Sequence, residues 1–152
     1  MLNRGLRLMD VDIILKMGFF IRHLHKDIIN LHRKQQQIKP TKNPFQVFRG
    51  QGLSIENFDK MKQTTGGLMS FNNFLSTSRA RQVSFLYAQS TAMNNDQNTV
   101  GILFVMIIDP TLYTAASISF VDTKLVGFYQ DIEEEILFFH AYNISYQSNS
   151  TH

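Results

Sequence analysis

The sequence predicts a single α+β domain, because a helical segment comes first and short apolar strands dominate the rest of the chain. A length of 152 residues corresponds to one domain, and thirteen Phe spread over the strand candidates indicate an aromatic-rich core. We expect residues 1–43 to form an N-terminal helix and a linker, and residues 44–152 to form a β-rich core.

The first helix is predicted over residues 10–37, where apolar residues recur every three or four positions. Asp10 precedes the first of these positions and is a candidate N-cap. Pro40 and Pro44 end the pattern, so a linker follows. The apolar face that we expect to pack on the core consists of Ile14, Met17, Ile21, Leu24, Ile28 and Leu31.

Residues 45–93 alternate between extended and helical patterns. A short strand is predicted over residues 45–49 and a glycine turn over residues 50–52. Ser54 is the expected cap of a short helix over residues 55–63. A further extended segment over residues 68–78 leads into a second helix, whose packed face is expected to carry Val83, Leu86 and Tyr87.

The later part of the chain is richest in strand signals. Residues 100–108 form a continuous apolar run, which is typical of a strand buried on both faces. Two more strands are predicted over residues 118–121 and 133–139, with a loop between them.

Composition excludes several kinds of site. The chain has no cysteine, so neither disulfides nor thiolate metal sites can form. Its five histidines lack ligand spacing, and we expect no metal. There is neither a basic stretch followed by an apolar run nor an apolar segment of about 20 residues. We therefore expect an intracellular protein without a membrane partner.

The charge pattern does not favour nucleic acid as a partner. The formal net charge is +3, and Lys and Arg cluster over residues 22–42 without interleaved aromatic residues. A nucleic-acid platform usually combines both residue types. The cluster is therefore interpreted as the solvated end of a helix.

Two carboxylates open the last predicted strand. Glu133 and Glu135 are two residues apart, so in a strand they share a face with Cα atoms about 6.6–6.8 Å apart. One interpretation is an acidic edge that discourages strand pairing. The other is a carboxylate pair suited to glycosidic chemistry, in which one group stabilises an oxocarbenium-like centre and the other moves a proton.

Arg49 and the segment Ser76-Thr77-Ser78 are further candidates. Arg49 ends an apolar strand before Gly50, and a guanidinium there can bind phosphate while the glycine allows close approach. Ser78 is a candidate helix cap, and Ser76 is better suited to positioning a carboxylate than to nucleophilic attack, because no nucleophile elbow accompanies it.

Taken in order, these segments resemble the arginine–serine–glutamate class of mono-ADP-ribosyltransferases, especially such domains in multidomain animal proteins. The resemblance covers nearly the whole chain. It is carried by Phe-Arg-Gly-Gln-Gly-Leu (48–53), Ser-Phe-Asn-Asn-Phe-Leu-Ser-Thr-Ser (70–78), Val-Gly-Ile-Leu-Phe (100–104) and Glu-Glu-Glu-Ile-Leu-Phe (133–138). It implies a fold of two packed, mainly antiparallel sheets around an NAD⁺ cleft, after an N-terminal helical part.

The resemblance also implies roles for individual residues. Glu135 corresponds to the family glutamate that bonds the nicotinamide ribose, and Ser76 to the serine that supports it. Glu133 corresponds to the glutamate that goes with arginine acceptors. The loop over residues 127–132 corresponds to a target-recognition loop, with Phe128 or Tyr129 as its aromatic residue.

The same resemblance implies that NAD⁺ is a substrate and that no metal takes part. The residues expected to contact NAD⁺ are Arg49, Gly50, Gln51, Ser76, Thr77, Ser78, Arg79 and Glu135. The second partner is an unidentified protein that carries the acceptor arginine.

One departure from the family and three alternative functions stay open. Only residues 141–152 follow the Glu-x-Glu strand, so we expect that the family's last strand is absent, that another chain completes the fold, or that the fold is shorter at that end. The alternatives are an NAD⁺ glycohydrolase, a non-catalytic NAD⁺-binding or interaction module, and a basic nucleic-acid binder.

Overall fold

In a computed structural model, residues 6, 8–63, 71, 73–93, 98–112, 119–125 and 135–139 are described. Three helices are α1 (Val11–Ile38), α2 (Ile55–Gln63) and α3 (Arg81–Met93). Five strands are β1 (Phe45–Ser54), β2 (Leu75–Ser78), β3 (Thr99–Ile108), β4 (Ser119–Asp122) and β5 (Glu135–Phe139). Short 3₁₀ turns follow β3 and β4, at Pro110–Leu112 and Thr123–Leu125.

All five strands belong to one antiparallel sheet in the order β3-β1-β2-β5-β4. The predicted α+β class is confirmed. The resemblance implies two packed sheets, but the strands of the described residues pair into a single sheet. The longest ladder joins β1 to β3, from Phe45 opposite Ile108 to Ser54 opposite Thr99.

Helix α1 confirms the predicted start and most of the predicted face. The Asp10 carboxylate accepts a hydrogen bond from the Ile13 N–H at 3.2 Å, which caps the helix. Ile28 is buried against Phe74 and Val121, and the half-buried Ile21, Leu24 and Leu31 pack around them. The helix therefore lies against the β4 and β5 end of the sheet. Its N-terminal half instead exposes large apolar side chains, namely Val11, Leu15 and Phe19.

The predicted glycine turn over residues 50–52 is wrong. Strand β1 continues to Ser54, and Gly50 and Gly52 pair with Leu103 and Gly101 of β3. Helix α2 then begins at Ile55 as predicted, and the Asn57 N–H donates to the Ser54 hydroxyl at 3.3 Å. Gly50 does not break the strand, and it lies on a face of β1 where the space for a side chain is already filled.

That face is covered by α3. A Cβ at Gly50 would collide with the Ser84 carbonyl oxygen and lie 2.7 Å from the Ala88 nitrogen, and a Cβ at Gly101 would collide with the Ala88 carbonyl. The helix thus packs through its small residues Ser84 and Ala88, which are buried. The predicted face was wrong, because Leu86 and Tyr87 are 64% and 58% exposed.

The opposite face of the sheet carries the main core. Strand β3 alternates between buried and partly exposed residues, with Ile107 53% exposed, and it lies at one end of the strand order. Its predicted burial on both faces is therefore wrong. The buried residues of this core are Val47, Met61, Leu75, Ile102, Phe104, Met106, Ile108 and Phe120.

Candidate active site

The sheet brings the three sequence motifs onto adjacent strands. Arg49 lies on β1, Ser76 on β2 and Glu135 on β5, and β2 is the strand between the other two. Phe48 is the register partner of Ser78, and Ser78 is the register partner of Glu135. Neighbouring strands lie about 4.8 Å apart, so the backbones of all three motifs fall within two strand spacings. We call Arg49, Ser76, Thr77, Ser78 and the Glu135 backbone the strand-centre site.

Arg49 is held by contacts on both sides of its guanidinium group. Its Nη1 donates to the Ser76 carbonyl oxygen at 2.6 Å, and its Nε donates to Gln51 Oε1 at 3.1 Å. It sits opposite the buried Phe104 in the β1–β3 ladder. A charged hydrogen bond to a carbonyl in partly buried surroundings is worth more than a neutral one, so these contacts fix the position of the cation.

The hydroxyl groups of β2 are largely enclosed. Thr77 and Ser78 are buried, whereas Ser76 is half-buried. Ser76 and Ser78 share one face of the strand, and Thr77 lies on the other. The Ser78 hydroxyl accepts a hydrogen bond from the Ala80 N–H at 3.0 Å. This bond forms a turn just before α3 begins, so Ser78 orders the approach to the helix rather than its first turn.

The register distinguishes the two serines in their relation to Glu135. Ser78 lies directly opposite Glu135, whereas Ser76 lies opposite Leu137. In an antiparallel pair, directly opposite residues have Cβ atoms about 5 Å apart and diagonal neighbours about 7–8 Å apart. Ser76 is therefore the diagonal neighbour of Glu135, and Ser78 is the nearer of the two along the ladder.

Gly50 has a structural use that the sequence did not reveal. The space beside its Cα is filled by the backbone of α3, so the missing side chain permits helix packing. Its expected contact with the ligand through the backbone stays a prediction.

Arg79 lies away from Arg49, in a cleft that the sequence did not indicate. Its guanidinium carbon lies 4.9 Å from the centre of the Phe45 ring. The cleft has a volume of about 610 Å³ and lies between the end of α1, the linker, the start of β1 and the end of β4. We call it the basic cleft; it is lined by Gln35, Gln36, Lys39, Pro40, Thr41, Lys42, Asn43, Pro44, Phe45, Arg79, Phe120, Asp122 and Lys124. The sequence signal for this cleft is the cluster of Lys and Arg over residues 22–42, whose pattern alone indicates only the solvated end of a helix.

Three predicted site residues fall outside the described part of the chain. They are Glu133, which was expected to select arginine, and the two aromatic candidates of the recognition loop, Phe128 and Tyr129. Their predicted roles stay predictions.

Two carboxyl groups with shifted pKa values lie elsewhere. The Lys60 ammonium, through a hydrogen bond and its charge, lowers the pKa of Glu56 on α2. Hydrogen bonds from the Thr111 hydroxyl and backbone lower the pKa of Asp109 after β3. Glu56 is exposed and Asp109 is half-buried, and both belong to local contacts rather than to the strand-centre site.

Within the described ranges, no group of three or more His, Asp or Glu side chains is arranged to hold a metal ion. Nor does any helix in these ranges combine the length and the apolar character required to cross a bilayer.

Comparison with protein-family models, curated proteins and solved structures gives no match to this chain. The resemblance described above therefore depends on the residues of this chain alone.

Proposed function

We propose that this protein is a mono-ADP-ribosyltransferase that transfers ADP-ribose from NAD⁺ to protein arginine and releases nicotinamide. The observation that supports it most is the order of β1, β2 and β5, in which the backbones of Arg49, Ser76 and Glu135 lie on three neighbouring strands although they are far apart in sequence.

Arg49 is proposed to bind the phosphates of NAD⁺. Its guanidinium is fixed by the Ser76 carbonyl and by Gln51, so little side-chain entropy is lost when an anion binds. Arginine has five N–H donors in a planar fork, a geometry that matches the oxygens of a phosphate group. Gln51 thereby acts as a positioning residue for Arg49.

Glu135 is proposed as the central catalytic residue. Departure of nicotinamide breaks the bond between the ribose C1′ and the pyridinium nitrogen, and the nitrogen takes the electron pair. The ribose then carries positive charge, which a carboxylate near its 2′-hydroxyl stabilises. Ser76 and Ser78, on the neighbouring strand, are proposed to help hold the carboxylate and the bound NAD⁺, together with Thr77 and Arg79.

Glu133 is proposed to act on the acceptor. An arginine nitrogen forms the new bond to C1′ and loses a proton, which Glu133 accepts. Free guanidinium has a pKa above about 12, so the proton must leave as the bond forms. Phe128 or Tyr129 would contact the target protein. The family fold, with two sheets around the NAD⁺ cleft, belongs to this proposal, and the five-stranded sheet would supply one wall.

The proposal is tested by nicotinamide release from NAD⁺ and by transfer of labelled ADP-ribose to agmatine or polyarginine. Removal of one group that stabilises transition-state charge typically lowers kcat about 10²–10³-fold, so Glu135→Gln is expected to lose that much of both activities. Glu133→Gln is expected to keep nicotinamide release and to lose transfer.

Glu56→Gln is the matched control, because Glu56 is an exposed carboxylate on α2 bonded to Lys60, and it should leave both activities unchanged. Wild-type protein that releases no nicotinamide would contradict the proposal and would favour a non-catalytic module. Release without transfer to any arginine acceptor would favour an NAD⁺ glycohydrolase.

A further inference from the structure

We infer that the basic cleft is a binding site for a polyphosphate group, either as a free polyphosphate or as the phosphates of a nucleotide. The inference does not rest on the proposed transferase activity. Of the residues proposed to contact NAD⁺, only Arg79 lines this cleft. Phe45, at the start of β1, lines the cleft. It is four residues from Arg49, which corresponds to about 13 Å along the strand.

The charge of the cleft favours anions. Four cationic side chains line it, from Lys39, Lys42, Arg79 and Lys124, against the single carboxylate of Asp122. They come from three separate parts of the chain, namely the linker, the segment between β2 and α3, and the turn after β4. Like charges repel one another in the absence of a ligand, so an anion that lies between them relieves this repulsion.

Two local features act against an anion, and both are smaller than the cationic charge. The C-terminal end of α1 carries about half a negative charge from its backbone dipoles. It ends at the cleft, where the Lys39 N–H donates to the Gln35 carbonyl at 2.8 Å. The Asp122 carboxylate already accepts a hydrogen bond from the Lys124 N–H at 3.1 Å. Together the helix end and the carboxylate carry about one and a half negative charges. The four cationic side chains exceed this, so the net charge of the cleft is positive.

The walls of the cleft are held in place by side-chain hydrogen bonds. The Gln35 amide donates to the Asp122 carbonyl at 2.9 Å and accepts from the Asp122 N–H at 3.0 Å. The Thr41 N–H donates to Gln36 Oε1 at 2.8 Å, which holds the linker against α1. The first pair joins α1 to β4, so the lysines of the linker and Lys124 face one cleft in the free protein. A site with fixed walls loses less entropy on binding.

The size and the lining limit the ligand. A volume of 610 Å³ is within the range of about 300–1,000 Å³ typical of small-molecule sites. Arg79 lies over the Phe45 ring, which keeps its planar fork oriented at one side of the cleft. A short chain of phosphates can meet ammonium groups and a guanidinium at the same time, which a single carboxylate cannot do.

The test is isothermal titration of the full chain with inorganic tripolyphosphate, ADP and adenosine. The double variant Lys39→Gln/Lys42→Gln is expected to bind tripolyphosphate about tenfold more weakly, since the loss of each unit charge at contact distance is expected to weaken binding about threefold. Lys124→Gln, on the opposite wall, is expected to weaken it about threefold. Both lysines of the double variant are exposed, so the fold should persist, which thermal unfolding verifies.

Lys16→Gln/Lys26→Gln is the control of equal charge, because these exposed lysines lie on α1 away from the cleft. An equal loss in this control would overturn the inference, since it would indicate only general attraction to a basic protein. Wild-type affinity in the Lys39/Lys42 variant would overturn it as well. If ADP binds and adenosine does not, the source is the phosphates of a nucleotide; if tripolyphosphate alone binds, the source is free polyphosphate. Glu135→Gln should bind tripolyphosphate as the wild type does, so the two proposals fail separately.

Discussion

The strand-centre site and the basic cleft both hold arginine side chains near the same sheet, but they are built in different ways. At the strand centre, neighbouring backbones fix the positions, through the β1–β3 ladder and the packing of α3 on Gly50. In the cleft, side chains such as Gln35 join a helix to a strand. The first construction tolerates almost no added atoms, and the second depends on a few hydrogen bonds. Three substitutions distinguish them.

Gly50→Ala is expected to have the largest effect on stability. The new methyl group would collide with the backbone of Ser84, which cannot rotate away as a side chain can. We expect a loss of about 3 kcal/mol or more in the free energy of unfolding, measured by urea denaturation. Gly18→Ala is the control, because nothing lies within 4 Å of that position on α1, and there alanine should stabilise by up to about 1 kcal/mol. Equal effects at both glycines would contradict the close packing of α3.

Arg49→Lys is expected to come second. Lysine keeps the charge but lacks the fork that reaches both the Ser76 carbonyl and Gln51, so one partner loses its bond. We expect about 2 kcal/mol less stability and, for the proposed transferase activity, a higher KM for NAD⁺. Arg33→Lys, on the exposed side of α1, should change neither quantity. An unchanged stability in Arg49→Lys would mean that the strand centre does not depend on the guanidinium.

Gln35→Met is expected to have the smallest effect of the three. Methionine has a similar shape but cannot bond the Asp122 backbone, so two backbone groups lose a partner while remaining within reach of water at the half-buried Asp122. We expect a loss of about 1–2 kcal/mol by thermal unfolding, and weaker tripolyphosphate binding although no cation is removed. Gln37→Met, on an exposed position of the same helix, is the control. Tripolyphosphate binding that is unchanged in Gln35→Met would contradict the dependence of the cleft on its fixed walls.

Local signals predicted α1 and α2 well. Asp10 caps α1, Ser54 caps the start of α2, and the periodic residues around Ile28 face the core. These features depend on hydrogen bonds and contacts within about one helical turn, which the sequence contains directly. The predicted turn at residues 50–52 failed because a glycine can serve either a turn or a close approach, and only the position of α3 decides between them.

The candidate site was predictable as a set of residue types but not as an arrangement. Arg49, Ser76 and Glu135 were identified from their motifs. Only the pairing of β2 with β5 shows that Ser78, and not Ser76, lies directly opposite Glu135. The basic cleft was not predicted because Lys39 and Lys42 are close in sequence, whereas Lys124 lies more than 80 positions further along the chain. A local sequence pattern therefore contains only one wall of the cleft.

By itself the sequence determined the α+β class, the caps and apolar face of the first helix, and the residue types available for chemistry. The tertiary structure decided which strands are neighbours, which face of α3 packs, and that the linker and Lys124 share a cleft. The physical reason is range: caps and periodicity act between residues a few positions apart, whereas strand order and burial depend on contacts between residues such as Gln35 and Asp122, which are 87 positions apart.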